Sequence, residues 1–202
     1  MSPDPPEPAP EPEREPAPEP APEPDGAPVR PVCVLVGPPG AGKTSTGVLL
    51  AEALGVPFRD TDADIEQAAG KPIPEIFVDH GEPHFRTLER AAVAGALVTC
   101  PGVVALGGGA VLADPTRAAL AGHRVVFLSV ELPDAVRRVG LGQGRPLLSV
   151  NPRATLKHQL DLRRPLYQRV ANLTVVTDGR TPAEVAAEIL GALPGLRQDY
   201  GS

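Results

Sequence analysis

The segment Gly37-Pro38-Pro39-Gly40-Ala41-Gly42-Lys43-Thr44 constrains this chain more than any other, because it fits G-x-x-x-x-G-K-[ST] at every fixed position. Its glycines let the backbone curl so that successive N–H groups face one anion. A helix beginning where the loop ends adds unsatisfied N–H groups and the positive end of its dipole. Both flanks suit that geometry. Val32 to Val36 is an unbroken apolar, β-prone run of the kind a strand buried on both faces requires. Lys43 to Leu54 is amphipathic and reads as the helix. In such a loop the lysine supplies a mobile charge to the β- and γ-phosphates of a nucleotide, and the threonine a hydroxyl to Mg2+.

The rest of the chain repeats the same alternation. The short segment 57–60 and the apolar runs at 103–106, 124–129 and 173–177 read as four further strands. Helical patterns lie at 63–69, 73–79, 82–99, 115–121, 133–139, 154–170 (interrupted near Pro165) and 182–193. Strands alternating with helices imply crossover connections, hence a three-layer α-β-α fold around a five-stranded parallel sheet. Ligands of such folds collect at the carboxyl ends of the strands. The loops at 37–42, 60–64 and 107–109 all follow apolar runs and are therefore the ones to inspect.

Residues 1–30 are set apart by composition. They hold 12 of the 27 prolines, eight of the 25 acids and two of the 19 bases, so their net charge of −6 equals that of the whole chain. Nothing there offsets the entropy of ordering, and the segment reads as a solvated, extended, disordered acidic tail. The remainder balances its charges and carries no global field that would draw nucleic acid. With 3% aromatics and no Trp, its core must rest on Ala, Val, Leu and Ile. No run approaches the roughly 18–20 apolar residues that span a bilayer. The N-terminus lacks the basic and apolar regions of a secretory signal. Cys33 and Cys100 lack metal-ligand spacing. Together these point to a reducing, cytoplasmic setting with no membrane partner. The expected division is a tail over 1–30, one domain over 31–195 with a Gly-rich loop at about 140–151 acting as a lid, and a flexible end over 196–202.

Three weaker motifs follow. In Asp60-Thr61-Asp62-Ala63-Asp64-Ile65-Glu66, each acid can be a helix cap or a solvated side chain. Asp60 and Asp62 differ from the others because they end a strand beside the phosphate loop. One carboxylate there can hold Mg2+ through water, and the other can align an attacking hydroxyl. Spacing alone leaves both readings open. Gly107-Gly108-Gly109 after a strand is either a tight turn or a place where backbone closely approaches a ligand. Of Arg86, Arg138, Arg145, Arg163 and Arg180, only Arg145 has a local warrant, since it lies in the Gly-rich loop that can close over phosphates.

Taken in order, six blocks resemble the shikimate kinase family: GPPGAGKTSTG, DTDADIE, IPEIFVDHGEPHFRTLE, ALGGGAV, GRPLL and RRPLY. The resemblance covers residues 32–193. It implies a P-loop fold like that of the nucleoside monophosphate kinases, and ATP-dependent phosphorylation of the 3-hydroxyl of shikimate, with Mg2+, in chorismate and aromatic amino-acid biosynthesis. Gly40, Ala41, Gly42, Lys43, Thr44 and Ser45 would hold ATP. Thr44 and, through water, Asp60 would hold the metal. Asp62 would bind the acceptor hydroxyls and act as base, with Lys43 and Arg145 serving the transferring phosphoryl group. Arg86 and Arg163 would clamp the shikimate carboxylate, Gly108 would meet the ring hydroxyls, and Phe77, Phe85 and Glu89 would shape the pocket. Arg138 and Arg180 would lie near the adenine. A monomer acting on small molecules is the expectation. Thr46 departs from the family, which has an apolar residue there. The rivals are another small-metabolite kinase of the gluconate kinase type, and a retired kinase acting as an ATP-binding scaffold. A scaffold would have dispensed with one of Lys43, Asp62, Arg145 or Arg163, and all four are present.

Overall fold

Alternation along β1 (Cys33–Val36) sends Cys33 and Leu35 into one apolar cluster and Val34 and Val36 into another on the opposite side of the sheet. A strand covered on both faces has no use for a polar residue, and this one has none. The computed structural model describes residues 29–140 and 152–193. After β1 come α1 (Lys43–Leu54), β2 (Phe58–Asp60), α2 (Thr61–Ala69), α3 (Ile73–Thr99), β3 (Val103–Ala105), a 3-10 turn (Ala110–Leu112) and α4 (Asp114–Ala119). β4 (Val125–Ser129), α5 (Leu132–Val139), α6 (Pro152–Val170), β5 (Leu173–Val176) and α7 (Pro182–Ala192) complete the order.

The five strands pair in parallel in the order β2-β3-β1-β4-β5, the expected three-layer arrangement. One face is covered by Leu50 and Leu54 of α1 with Val185 and Ile189 of α7. The other is covered by Val93, Ala96 and Leu97 of α3. α6 serves both, through Leu156 and Leu160 on the first side and Tyr167 on the second. A third cluster, Ile65, Ile76 and Phe85, joins α2 to α3 apart from the sheet. Because β1 is central and the chain moves first to one side of it and then to the other, the order reverses there. A ligand crevice opens at such a point above the strand ends.

Two helices differ from the expectation, α2 and α6. α2 begins at Thr61 instead of 63, because the Asp60 side chain accepts from Asp62 N at 3.0 Å and caps the helix two residues earlier. The two helices expected at 73–79 and 82–99 are both present, meeting at a kink at Gly81 (φ 76°) within the span of α3. Pro83 falls in the first turn after the break, where its missing N–H costs nothing. α6 runs through Pro165 without interruption, its two halves anchored by the buried Leu160 and Tyr167. The tail and nearly all of the expected lid and C-terminal segments lie outside the described residues, and Arg145 with them. Among the described residues no helix is long and apolar enough to cross a membrane. Cys33 and Cys100 are buried free thiols, and burial pushes that of Cys33 up to about 12.

Candidate active site

The phosphate loop leaves β1 pressed against β4, since a Cβ on Gly37 would stand 2.5 Å from the Leu128 carbonyl oxygen. Gly40 (φ 80°) and Gly42 (φ 85°) take the left-handed conformation that only glycine adopts without strain. The first bond into α1 is Thr46 N to Gly42 O, at 2.9 Å. The N–H groups of Lys43, Thr44 and Ser45 therefore have no intrahelical acceptor. Lys43 Nζ folds over the loop and donates to Gly37 O at 2.8 Å and Pro38 O at 3.1 Å. Burial lowers its pKa to about 8, opposed by the carboxylates of Asp62 and Asp60 and aided by the charge of Arg163. Three residues from three separate elements thus act on one ammonium.

Asp60, at the end of β2, ties two helix starts together. Its Oδ2 accepts from Thr44 Oγ1 at 2.8 Å and its Oδ1 from Asp62 N at 3.0 Å. Next to it, the fully buried Thr61 accepts from Gly107 N at 3.1 Å. Asp62 then lies against the glycine triplet, so closely that a Cβ on Gly107 would be 2.3 Å from its Oδ1. That oxygen is buried and has no hydrogen-bond partner among the described residues. Burial, then the neighbouring Asp60, pushes Asp62 up to about 6, while Lys43 pulls it down.

On the far side of the triplet are the two expected clamp arginines. Arg86 of α3 donates from Nη1 to Glu89 Oε2 at 2.7 Å, and from Nη2 and Nε to Glu82 Oε1 at 2.8 and 3.1 Å. Its guanidinium packs on Gly109, where a Cβ would come within 2.1 Å of Nη1. Arg163 of α6 donates from Nη1 to Gly108 O at 3.1 Å, and its buried Nε has no partner among the described residues. The two guanidinium groups therefore meet consecutive glycines. Burial raises the pKa of Glu89, which is 2% exposed, while both arginines pull it down. Phe77 and Phe85 pack at 4.6 Å between centroids, with Arg86 over the Phe85 ring.

Toward β5, Arg138 donates to Gly40 O at 3.3 Å, Thr177 Oγ1 at 3.0 Å and Thr177 O at 2.5 Å. It thereby ties the phosphate loop to the strand end. Arg180 is engaged elsewhere, on Val176 O, Glu188 and Glu184 O. Only its carbonyl meets Arg138, at 3.5 Å. Asp64 and Glu66 do other work, pairing with Arg59 at 2.6 Å and accepting from Ile73 N at 2.9 Å. Thr61, Thr177 and Tyr167 were not among the residues singled out by type and spacing, although all three contact the site. Tyr167 was at hand in the RRPLY block, whereas nothing local marks Thr61.

Thr44 and Asp60 are hard oxygen donors at the mouth of the loop. Among the described residues, no group of three or more His, Cys, Asp or Glu side chains could hold a metal ion unaided. That combination suits Mg2+, which keeps water and takes phosphate oxygens beside one or two protein oxygens.

A family model described as shikimate kinase matches residues 39–194. Shikimate kinases of Salinispora arenicola (strain CNS-205) and Thermobifida fusca (strain YX) are 72% and 59% identical to this chain. The alignments cover 81% and 82% of this chain and 98% and 96% of theirs. The solved structure of a shikimate kinase from Acinetobacter baumannii in complex with shikimate superimposes with a TM-score of 0.77 at 38% identity. That match covers 81% of this chain and 92% of the other.

Proposed function

The chain belongs to the shikimate kinase family, and we propose that it moves the γ-phosphoryl group of ATP to the 3-hydroxyl of shikimate in the crevice between the Lys43 loop and the Arg86–Arg163 pair. As a member it is an ATP-dependent kinase of aromatic amino-acid biosynthesis. The observation that carries the residue assignment is the position of Asp62. Its free oxygen lies against Gly107, its charge acts on Lys43, and the next two glycines carry the two arginines.

The first N–H groups of α1 and the loop amides at Gly40, Ala41 and Gly42 hold the phosphates, with Lys43 as the mobile charge. Thr44, and Asp60 through water, hold Mg2+. When bound, the ion neutralises charge on the phosphate oxygens. Asp62 is mostly ionised at pH 7, accepts a hydrogen bond from the attacking hydroxyl and takes its proton as the new P–O bond forms. A carboxylate near 6 suits that work better than one near 4. Of its five N–H donors, Arg86 uses three on Glu82 and Glu89, which leaves two for the carboxylate of the acid. Arg163 presents its fork from the other side, and Gly108 and Gly109 offer backbone N–H groups to the ring. Arg145, as the family resemblance implies, supplies charge to the transferring phosphoryl group. Arg138 borders the nucleotide beside Gly40, and Arg180 reaches the base only by releasing Glu188. Both halves of the site come from one chain, which supports a monomer, acting in the cytoplasm.

A coupled assay of ADP release with shikimate, gluconate and nucleoside monophosphates side by side tests the reading. Turnover with shikimate alone is expected. Faster turnover with gluconate or a nucleotide would contradict it.

A further inference from the structure

Four of the six backbone N–H and C=O groups of the glycine triplet are engaged by the protein. Gly107 N donates to Thr61 Oγ1, and Gly107 O and Gly109 O accept from Ala110 N and Leu112 N. Gly108 O accepts twice, from Arg163 Nη1 at 3.1 Å and from Tyr167 OH at 2.5 Å. The N–H groups of Gly108 and Gly109 are the exceptions among the described residues. No peptide in the described chain is cis. In a trans peptide the carbonyl and the following N–H point in opposite directions. Whatever holds Gly108 O therefore sets where the free N–H of Gly109 points.

The two donors on that carbonyl are not alike. Arg163 is a long side chain on the crevice wall, with a buried Nε that has no acceptor among the described residues. Tyr167 is 1% exposed and stacks on Phe127 of β4, with centroids 5.0 Å apart and planes 22° apart. Its ring cannot leave. Packing alone does not explain the hydroxyl, since phenylalanine would stack as well. Burial pushes the phenol up to about 12, opposed by Arg163 and Arg86 and aided by Glu89, so it stays a donor throughout the working range.

We propose that Tyr167 is a positioning residue: it keeps the Gly108 carbonyl in place so that Arg163 can leave it for the carboxylate of the bound acid while the Gly109 N–H stays aimed into the crevice. This rests on the reading of Arg163 as a clamp for the acid. An arginine that was sole partner to the carbonyl would strand a polar group each time it turned, and the loss would appear in the affinity for the acid. With Tyr167 present, the carbonyl keeps a donor in both states.

Tyr167→Phe retains the stack and removes the hydroxyl, with its bond to Gly108 O and its contact with Arg163. Calorimetry on the full chain should then show shikimate binding weakened about tenfold, the worth of one well-placed hydrogen bond, with ATP binding within about twofold of the unaltered protein. Shikimate affinity within about twofold would overturn the proposal. So would losses for shikimate and ATP that fall together in step with the melting temperature, the mark of a purely structural role. If the unaltered protein binds ATP and not shikimate, the acid-site reading itself fails, and that result is distinct from either of these. A second measurement does not depend on how Tyr167→Phe folds. The chain has no Trp and two Tyr, so Tyr200→Phe leaves Tyr167 as its one tyrosine. Shikimate should change the fluorescence of that variant, and Arg163→Ala should abolish the change. No response in Tyr200→Phe, or an undiminished response without Arg163, would overturn the proposal.

Discussion

With one carboxyl oxygen buried and unpartnered and Asp60 beside it, Asp62 holds its charge at a cost to the fold. Its carboxyl is raised from an ordinary value of 3.8 to about 6. The penalty is absent below the ordinary value and fully present above the raised one, where it amounts to roughly 3 kcal/mol. Asp62→Asn should therefore melt several degrees higher than the unaltered protein at pH 8, with the gain gone near pH 4. Equal melting temperatures at pH 8 would contradict a strained carboxylate. Arg163 is argued from geometry, not titration. Arg163→Ala should raise KM for shikimate at least about tenfold, within the range for charge-assisted hydrogen bonds, and leave KM for ATP unchanged. Steady-state kinetics with each substrate varied in turn decides this. Lys43 and Thr44 were legible because a fixed spacing carries their chemistry, whereas spacing left Asp62 open and only the family resemblance gave it a role. Thr61 and Tyr167 were not, because each finds its partner in the glycine triplet 46 or 59 residues away in the chain.

β1, β3 and β4 were legible because a buried parallel strand must be mostly apolar, while the edge strands β2, with Arg59 and Asp60, and β5 are only partly buried. Helix ends were less so. Asp60 looked like a residue of a strand end, and only its bond to Asp62 N shows that it also starts α2. Pro165 looked like a break, and tertiary anchoring overrode it. α7 is the case where local signal and structure agree. Thr181 accepts from Glu184 N at 3.3 Å while Glu184 accepts from Thr181 N at 2.7 Å, a reciprocal cap. Thr181→Ala should lower unfolding free energy by about 1 kcal/mol, read from urea denaturation, with kcat within about twofold. A collapse of kcat at unchanged stability would move Thr181 into the site.

At the scale of the molecule, two clusters face each other across the strand ends: α1 and α5 carry the phosphate side, and α2, α3 and α6 the acid side. The family model matches residues 39–194, so the acidic, proline-rich segment over residues 1–30 lies outside the matched span. Deleting residues 2–28 should leave kcat and both KM values within about twofold. A large loss would make that segment part of the enzyme. The central claim is that Asp62 stands between a phosphate cradle and an arginine-walled acid pocket and acts on the hydroxyl that joins them. Its most direct test is the rate of ADP release by Asp62→Asn at saturating ATP and shikimate. The account predicts a fall of at least about a hundredfold, the usual worth of a positioned proton acceptor, and a rate within about threefold of the unaltered protein would contradict it.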